Sequence, residues 1–145
     1  MRSEQLRMLK LEIPRHIFED MLEQARAEAP VECCGILAGR DGRAEKLYKM
    51  TNAEHRCDHF MMEPKQQFEV LKDIRSSSLD MLAIYHSHPE TPARPSAEDI
   101  RLALTPNVVY VILSLQSDNG PAVKGFQIDD GTVTKIPVKI MENQQ

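Results

Sequence analysis

Several common functions are made improbable by what this sequence has little of. Its 145 residues include only three cysteines, Cys33, Cys34 and Cys57, and none of the spacings is C-x-x-C. An odd set of that kind argues against a disulfide framework and fits reduced thiols in a cytosolic protein. Positive charge is not in excess either: the formal net charge is -4 at pH 7, which gives no basic patch on which nucleic-acid recognition would be built. No apolar run approaches the length of a membrane span, and residues 1–12 alternate charge with single apolar residues, unlike a signal peptide. The expected location is therefore cytoplasmic. Repeats, low-complexity tracts and an interdomain linker are also missing. With 41% hydrophobic and 28% charged residues, the composition is that of an ordinary globular chain, and the length fits one domain over residues 1–145 with a core that needs no covalent staples.

What the chain does have is one chemically dense stretch, Tyr85-His86-Ser87-His88-Pro89, with Ser96 and Asp99 downstream. The apolar run Met81-Leu82-Ala83-Ile84-Tyr85 before it reads as a buried strand. Alternate side chains of a strand leave the same face, so His86 and His88 present two imidazoles together at its end while Ser87 points away. Pro89, Pro92 and Pro95 stiffen the connection that follows. Ser96-Ala97-Glu98-Asp99 then opens a helix with a good N-cap residue and a carboxylate in the first turn. Two neutral imidazoles and a carboxylate suit zinc, and three protein ligands leave the fourth position that catalytic zinc sites keep open. Read singly, Ser96-x-x-Asp99 is close to a capping box and H-x-H is common at strand ends. The two halves together, at H-x-H-x7-S-x2-D, are far more specific than either.

At that spacing the sequence resembles the JAMM or MPN+ zinc metallopeptidases, whose signature has this form together with a glutamate on an upstream strand. The matching glutamate is Glu32 in Pro30-Val31-Glu32-Cys33-Cys34-Gly35-Ile36-Leu37-Ala38-Gly39. The resemblance covers about residues 8–138 and implies an α/β fold, a mixed β-sheet flanked by helices of the deaminase-like type. It implies one Zn2+ per chain on His86, His88 and Asp99, with Glu32 as general base and then general acid, and Ser96 as a hydrogen-bond donor to the charge that develops on the carbonyl oxygen. Ser96 is not expected to be a nucleophile, because both histidines are committed to the metal. Only seven residues separate His88 from Ser96, and no long insertion is apparent. The chain therefore looks like the small prokaryotic branch, whose members cut after the C-terminal Gly-Gly of ubiquitin-like or sulfur-carrier proteins. Such a tail would lie extended beside residues 58–63. Ala83 departs from the glycine that many relatives carry before the motif, and is expected to be packing variation.

Other classes share parts of this pattern. A non-catalytic MPN scaffold would have the fold but typically lacks the full ligand set. A small-molecule amide hydrolase would use the same zinc site, and substrate trials separate it. A zinc deaminase needs H-x-E with P-C-x-x-C, which this chain does not supply. His55, Cys57 and His59 share a face if extended, yet at about 3.3 Å per residue the outer two are roughly 13 Å apart, too far for one ion.

The remaining chain alternates helices with strand pairs. Strands are expected over Met8–Ile13, Val31–Ala38 with Glu32 at its start, Arg43–Met50, Val108–Leu113, Val123–Ile128 and Thr132–Val138. Helices are expected over about 14–29, from Pro64 to about Ser76 with Phe68, Leu71 and Ile74 inward, and from Ser96 to Leu104. Cys34 shares a face with Glu32 in an extended segment, but both Cys33 and Cys34 are best read as small buried hydrophobes.

Overall fold

The computed structural model describes residues 9–54, 60–116 and 120–142. Among these residues eight strands form one sheet: β1 (Leu11–Pro14), β2 (Cys34–Arg40), β3 (Arg43–Met50), β4 (Asp80–His88), β5 (Val109–Ser114), β6 (Ala122–Asp129), β7 (Thr132–Ile136) and β8 (Val138–Met141). Their order across the sheet is β7-β6-β5-β4-β2-β3-β1-β8. The pairing is mixed, with β4/β5, β1/β3 and β1/β8 parallel and β2/β3, β2/β4, β5/β6 and β6/β7 antiparallel. Helix α1 (Arg15–Glu28) follows β1, α2 (Pro64–Ser76) precedes β4, and the short α3 (Ala97–Arg101) lies between β4 and β5. This is the mixed sheet with flanking helices expected from the sequence. Among the described residues no helix is long and apolar enough to cross a membrane.

The alternation of β4 sorts the core into two layers. Ala83 and Tyr85 join Leu37, Val109, Val111 and Leu113 under α1, whose Ile17, Phe18, Met21 and Ala25 face them. Ile84 joins Cys34, Ile36, Tyr110, Ile112 and Phe126 on the other face, with Ile74 of α2. Strand β5 is buried along its whole length, as a continuous apolar run between two layers requires. Ala83 is fully enclosed, so its methyl group is part of the packing. Two tight turns are drawn by Asp-Gly pairs, Asp41-Gly42 between β2 and β3 and Asp130-Gly131 between β6 and β7. Both residues of each pair have positive φ, the conformation that two-residue hairpins favour.

Four expectations need correction. Glu32 lies two residues before β2, not within it. The segment is still sheet-like at Cys33, whose carbonyl accepts from the Ser87 N–H at 3.0 Å, but regular pairing starts at Cys34 opposite His86. The strand expected over Thr132–Val138 is cut at Pro137 into β7 and β8, which occupy opposite edges of the sheet. Proline donates no ladder bond, and its carbonyl instead accepts from the Leu11 N–H at 3.2 Å, so the sheet curls round and its two edges are joined by one residue. Helix α3 stops at Arg101 and leaves Leu104 81% exposed, because the chain must turn before Pro106 and Tyr110 Oη holds the Thr105 N–H at 2.9 Å. Phe68 faces outward from α2, being 68% exposed. At about 100° per residue it lies about 120° round the helix from Ile74, whereas Val70 shares the inward face.

Gly35 is required by a close approach. A Cβ there would stand 2.3 Å from the ring of Tyr85 on the paired strand, well inside contact distance. Gly35→Ala is expected to lower stability by about 2 kcal/mol in chemical denaturation, the usual scale of overpacking, with part of the loss recovered in Gly35→Ala/Tyr85→Leu. An unaltered midpoint in Gly35→Ala would contradict this packing.

Candidate metal centre and active site

The end of β4 is held on both sides, His86 facing Cys34 of β2 and Ile112 of β5, and His88 facing Ser114. Both histidines are buried, at 2% and 4% exposure, on the face away from Ser87. Past His88 the proline-rich loop is tied down twice. Ser114 Oγ donates to the Thr91 carbonyl at 2.6 Å, and His88 Nδ1 lies 2.8 Å from the Pro92 carbonyl. A carbonyl only accepts, so Nδ1 carries the hydrogen and Nε2 of a neutral His88 presents a lone pair. Imidazoles that bind metals characteristically have their other nitrogen fixed by such a contact.

The loop delivers Ser96 as the N-cap of α3. Ser96 Oγ accepts from the Asp99 N–H at 3.0 Å and Asp99 Oδ2 accepts from the Ser96 N–H at 2.9 Å, a reciprocal capping box. The same Oδ2 lies 3.2 Å from His86 Nε2 and 3.0 Å from His88 Nε2, and the two Nε2 atoms are 3.1 Å apart. Capping and convergence are thus one arrangement, since the box that starts the helix aims the carboxylate at the histidines. Phe60 stacks on the His86 ring with centroids 4.7 Å apart, while His86 Nδ1 is buried with no hydrogen-bond partner among the described residues. Ring packing therefore orients His86.

The electrostatics follow from this crowding. Burial pulls His86 below the usual histidine range. Burial also opposes the charged form of His88, but its hydrogen bonds to Asp99 and to the Pro92 carbonyl leave it raised on balance. Burial works against the Asp99 carboxylate too, yet hydrogen bonds from the two histidines hold it well below the usual carboxylate range. Two lone pairs 3.0 Å apart repel unless a proton or a cation lies between them. The donor set satisfies a cation: at zinc–ligand distances of about 2.0–2.1 Å, tetrahedral neighbours stand about 3.3–3.4 Å apart, close to the three separations found.

Glu32 completes the group. It is 3% exposed, and its carboxylate and ring nitrogens of His86 and His88 lie within 4.8 Å of one another. A cavity of about 220 Å³ opens beside His86 and Asp99, walled by Phe60, Met61, Met62, Ile84, Leu102, Tyr110 and Ile128. It is mainly apolar with a few polar groups, His86 and Asp99 among them, the usual character of a ligand site. The five residues singled out in the sequence, Glu32, His86, His88, Ser96 and Asp99, are therefore brought together. His55, Cys57 and His59 lie outside the described residues. Cys34 faces the same layer as His86 but its Sγ is turned to the Met50 carbonyl at 4.0 Å. Phe60 belongs to the stretch Phe60-Met61-Met62-Glu63-Pro64, which resembles the strand-to-helix entry of the JAMM family, but nothing in that stretch foretells its stack on His86. Sequence reasoning missed Gln67 among the cavity-lining residues, which the inward stripe of α2 could have indicated.

Residues 14–127 match the family of prokaryotic homologues of the JAB domain. The CysO-cysteine peptidase of Mycobacterium tuberculosis is 36% identical over 124 residues, an overlap of 84% of this chain and 85% of that protein. The probable TtuB-protein conjugate cleaving protease of Thermus thermophilus is 33% identical over 131 residues, 90% of this chain and 84% of that one. The solution structure of protein DSY2949 from Desulfitobacterium hafniense superposes with a TM-score of 0.83 at 39% identity, covering 92% of this chain and 94% of that one. The chain belongs to the prokaryotic JAB-domain family, the JAMM/MPN peptidases. It is a hydrolase acting on peptide or isopeptide bonds.

Burial pushes the Cys33 thiol up to about 11 and the Cys34 thiol up to about 12, so neither supplies thiolate near neutrality. Iodoacetamide at pH 8 is expected to leave both unmodified in the native protein and to label both in denaturant. Rapid native labelling of Cys34, read by peptide mass spectrometry, would contradict its burial.

Proposed function

We propose that His86, His88 and Asp99 hold one zinc ion, that Glu32 is the general base, and that the chain acts in the cytoplasm to cut after the C-terminal Gly-Gly of a ubiquitin-like or sulfur-carrier protein. The observation that carries this reading is the convergence of two Nε2 atoms and one carboxylate oxygen within 3.2 Å, in a chain of a peptidase family. A zinc ion there would supply Lewis acidity and hydroxide at neutral pH.

The chain's own groups account for the rest. Glu32 stands near the histidine nitrogens, within 4.8 Å, close enough to accept a proton from an attacking water and to return it to the leaving amine. Ser96 Oγ uses a lone pair to accept from the Asp99 N–H. Its own hydrogen remains to be donated to the carbonyl oxygen as charge builds there. One hydroxyl thus serves as cap and as donor. Residues 60–62 line the cavity, and Met62 bridges Asn52 on the neighbouring strand-like segment. This supports an extended tail lying along the 60–62 wall. Two of the relatives carry names that describe cleavage of CysO–cysteine and of TtuB conjugates, which supports a protein tail over a small amide.

The direct test is intact-mass analysis of small ubiquitin-like proteins extended beyond Gly-Gly, incubated with the zinc-loaded chain. Trimming after the glycine pair, abolished by chelator and restored by zinc, is expected. No trimming by protein holding one zinc would overturn the substrate assignment. Glu32→Gln is expected to keep the zinc while kcat falls by about 10²-fold or more, the scale of general base loss, whereas His88→Ala loses both zinc and turnover; retained turnover in Glu32→Gln removes the base assignment. Ser96→Ala is expected to cost about 1 kcal/mol of stability as a lost cap and about 10²-fold in kcat as a lost donor. A stability change without a rate change would leave Ser96 a cap alone.

A further inference from the structure

Three consecutive main-chain positions at the base are each held by a buried side chain from another part of the chain. Asn52 Nδ2 donates to the Glu32 carbonyl at 3.0 Å, Ser87 Oγ accepts from the Cys33 N–H at 2.8 Å, and Gln24 Nε2 donates to the Cys34 carbonyl at 3.0 Å. The three side chains are 2%, 0% and 5% exposed. Burying polar groups is costly unless their bonds are made, so this stretch of backbone is over-determined compared with an ordinary strand entry.

The three restraints differ in what they connect. Ser87 belongs to β4 and Gln24 to α1, both packed in the core. Asn52 instead reaches the substrate side. Its Oδ1 accepts from the Glu54 N–H at 3.0 Å and from the Met61 N–H at 3.1 Å, and its backbone bridges to Met62. Phe60, next along that wall, stacks on His86. One planar amide therefore joins the main chain of Glu32 to the wall at residues 60–62. Donor and acceptor on the same rigid group are what asparagine offers and aspartate does not.

We propose that Asn52 is a positioning residue that couples the cavity wall to Glu32, so that a segment laid against residues 60–62 sets where the Glu32 carboxylate stands. The inference rests on the assignment of Glu32 as the base. It makes recognition of the tail and placement of the base one event rather than two. Misplacement of a reacting group by about 1 Å can cost about 10²-fold in rate, which is the lever such a coupling would use.

The test is Asn52→Asp in the full zinc-loaded chain. The carboxylate still accepts from Glu54 and Met61 but sets an oxygen against the Glu32 carbonyl. The expected result is a fall in kcat of roughly tenfold to a hundredfold with KM within about twofold. Zinc content is expected to be unchanged. In hydrogen exchange the Met61 amide stays protected while the Cys33 amide exchanges faster. Unchanged kcat together with unchanged Cys33 exchange overturns the coupling. If Asn52→Asp does not fold, Asn52→Ser, which buries no charge and is too short to span the same gap, must show the loss in kcat and faster exchange at both amides. If the unaltered chain hydrolyses nothing, the proposed function fails, and the exchange comparison alone decides the coupling: faster Cys33 exchange supports it and unchanged exchange overturns it.

Discussion

Two imidazole nitrogens and one carboxylate oxygen, which come this close only around a shared proton or cation, stand within 3.2 Å of one another, and the fold supplies the restraint that keeps them there. Left to themselves they would separate or take up protons. The histidines cannot move apart because β4 is paired on both edges at His86 and to β5 at His88. His88 cannot rotate without losing the Pro92 carbonyl, and Asp99 cannot swing out without breaking the box that caps α3. Each restraint is an ordinary element of secondary structure placed where it opposes electrostatic repulsion. Such a site is pre-organised in the sense that catalysis requires, with the cost met during folding rather than during reaction.

The rest of the molecule can be understood as support for that arrangement. Two apolar layers clamp the sheet, and α1 contributes more than apolar surface, since Gln24 on its buried face receives the Tyr85 hydroxyl hydrogen at 2.6 Å and donates to the Cys34 carbonyl. Tyr85 lies across Gly35, where no side chain could stand. The back of the sheet thereby fixes both β4, whose front carries His86, and β2, just before whose start Glu32 lies. Helix α2 is held to β3 by Asp73, which accepts from Lys46 Nζ at 2.6 Å and from the Tyr48 hydroxyl. Lys46 and Asp73 are both half exposed, and surface pairs of this kind add little to stability.

Much of this was legible in the sequence, and what was not has a physical reason. The convergence of His86, His88 and Asp99 could be read because period-two alternation places the two histidines together and a capping box places Asp99, both local rules that survive without tertiary knowledge. The buried strand β5 and the Asp-Gly turns follow from equally local chemistry. The contacts of Gln24, Asn52 and Ser87, and the stack of Phe60 on His86, could not be read, because their partners lie elsewhere in the chain and no short pattern encodes a bond from a side chain to a distant backbone group or ring. Phe68 was misjudged because a stripe spaced three residues apart drifts round a helix of 3.6 residues per turn. The break at Pro137 was available in principle, since proline inside a strand signals an edge or an interruption, but that β7 and β8 belong to opposite edges depends on the curl of the whole sheet.

The central claim is that the histidines and Asp99, and not Glu32, form the metal's protein shell, with Glu32 left to handle protons. Anomalous diffraction measured at the zinc edge from crystals of the zinc-loaded chain tests it most directly. The account predicts one peak per chain, about 2.0–2.2 Å from His86 Nε2, His88 Nε2 and Asp99 Oδ2, with the Glu32 carboxylate outside bonding distance. A peak bonded to Glu32 in place of Asp99, or no peak between the two histidines, would contradict it.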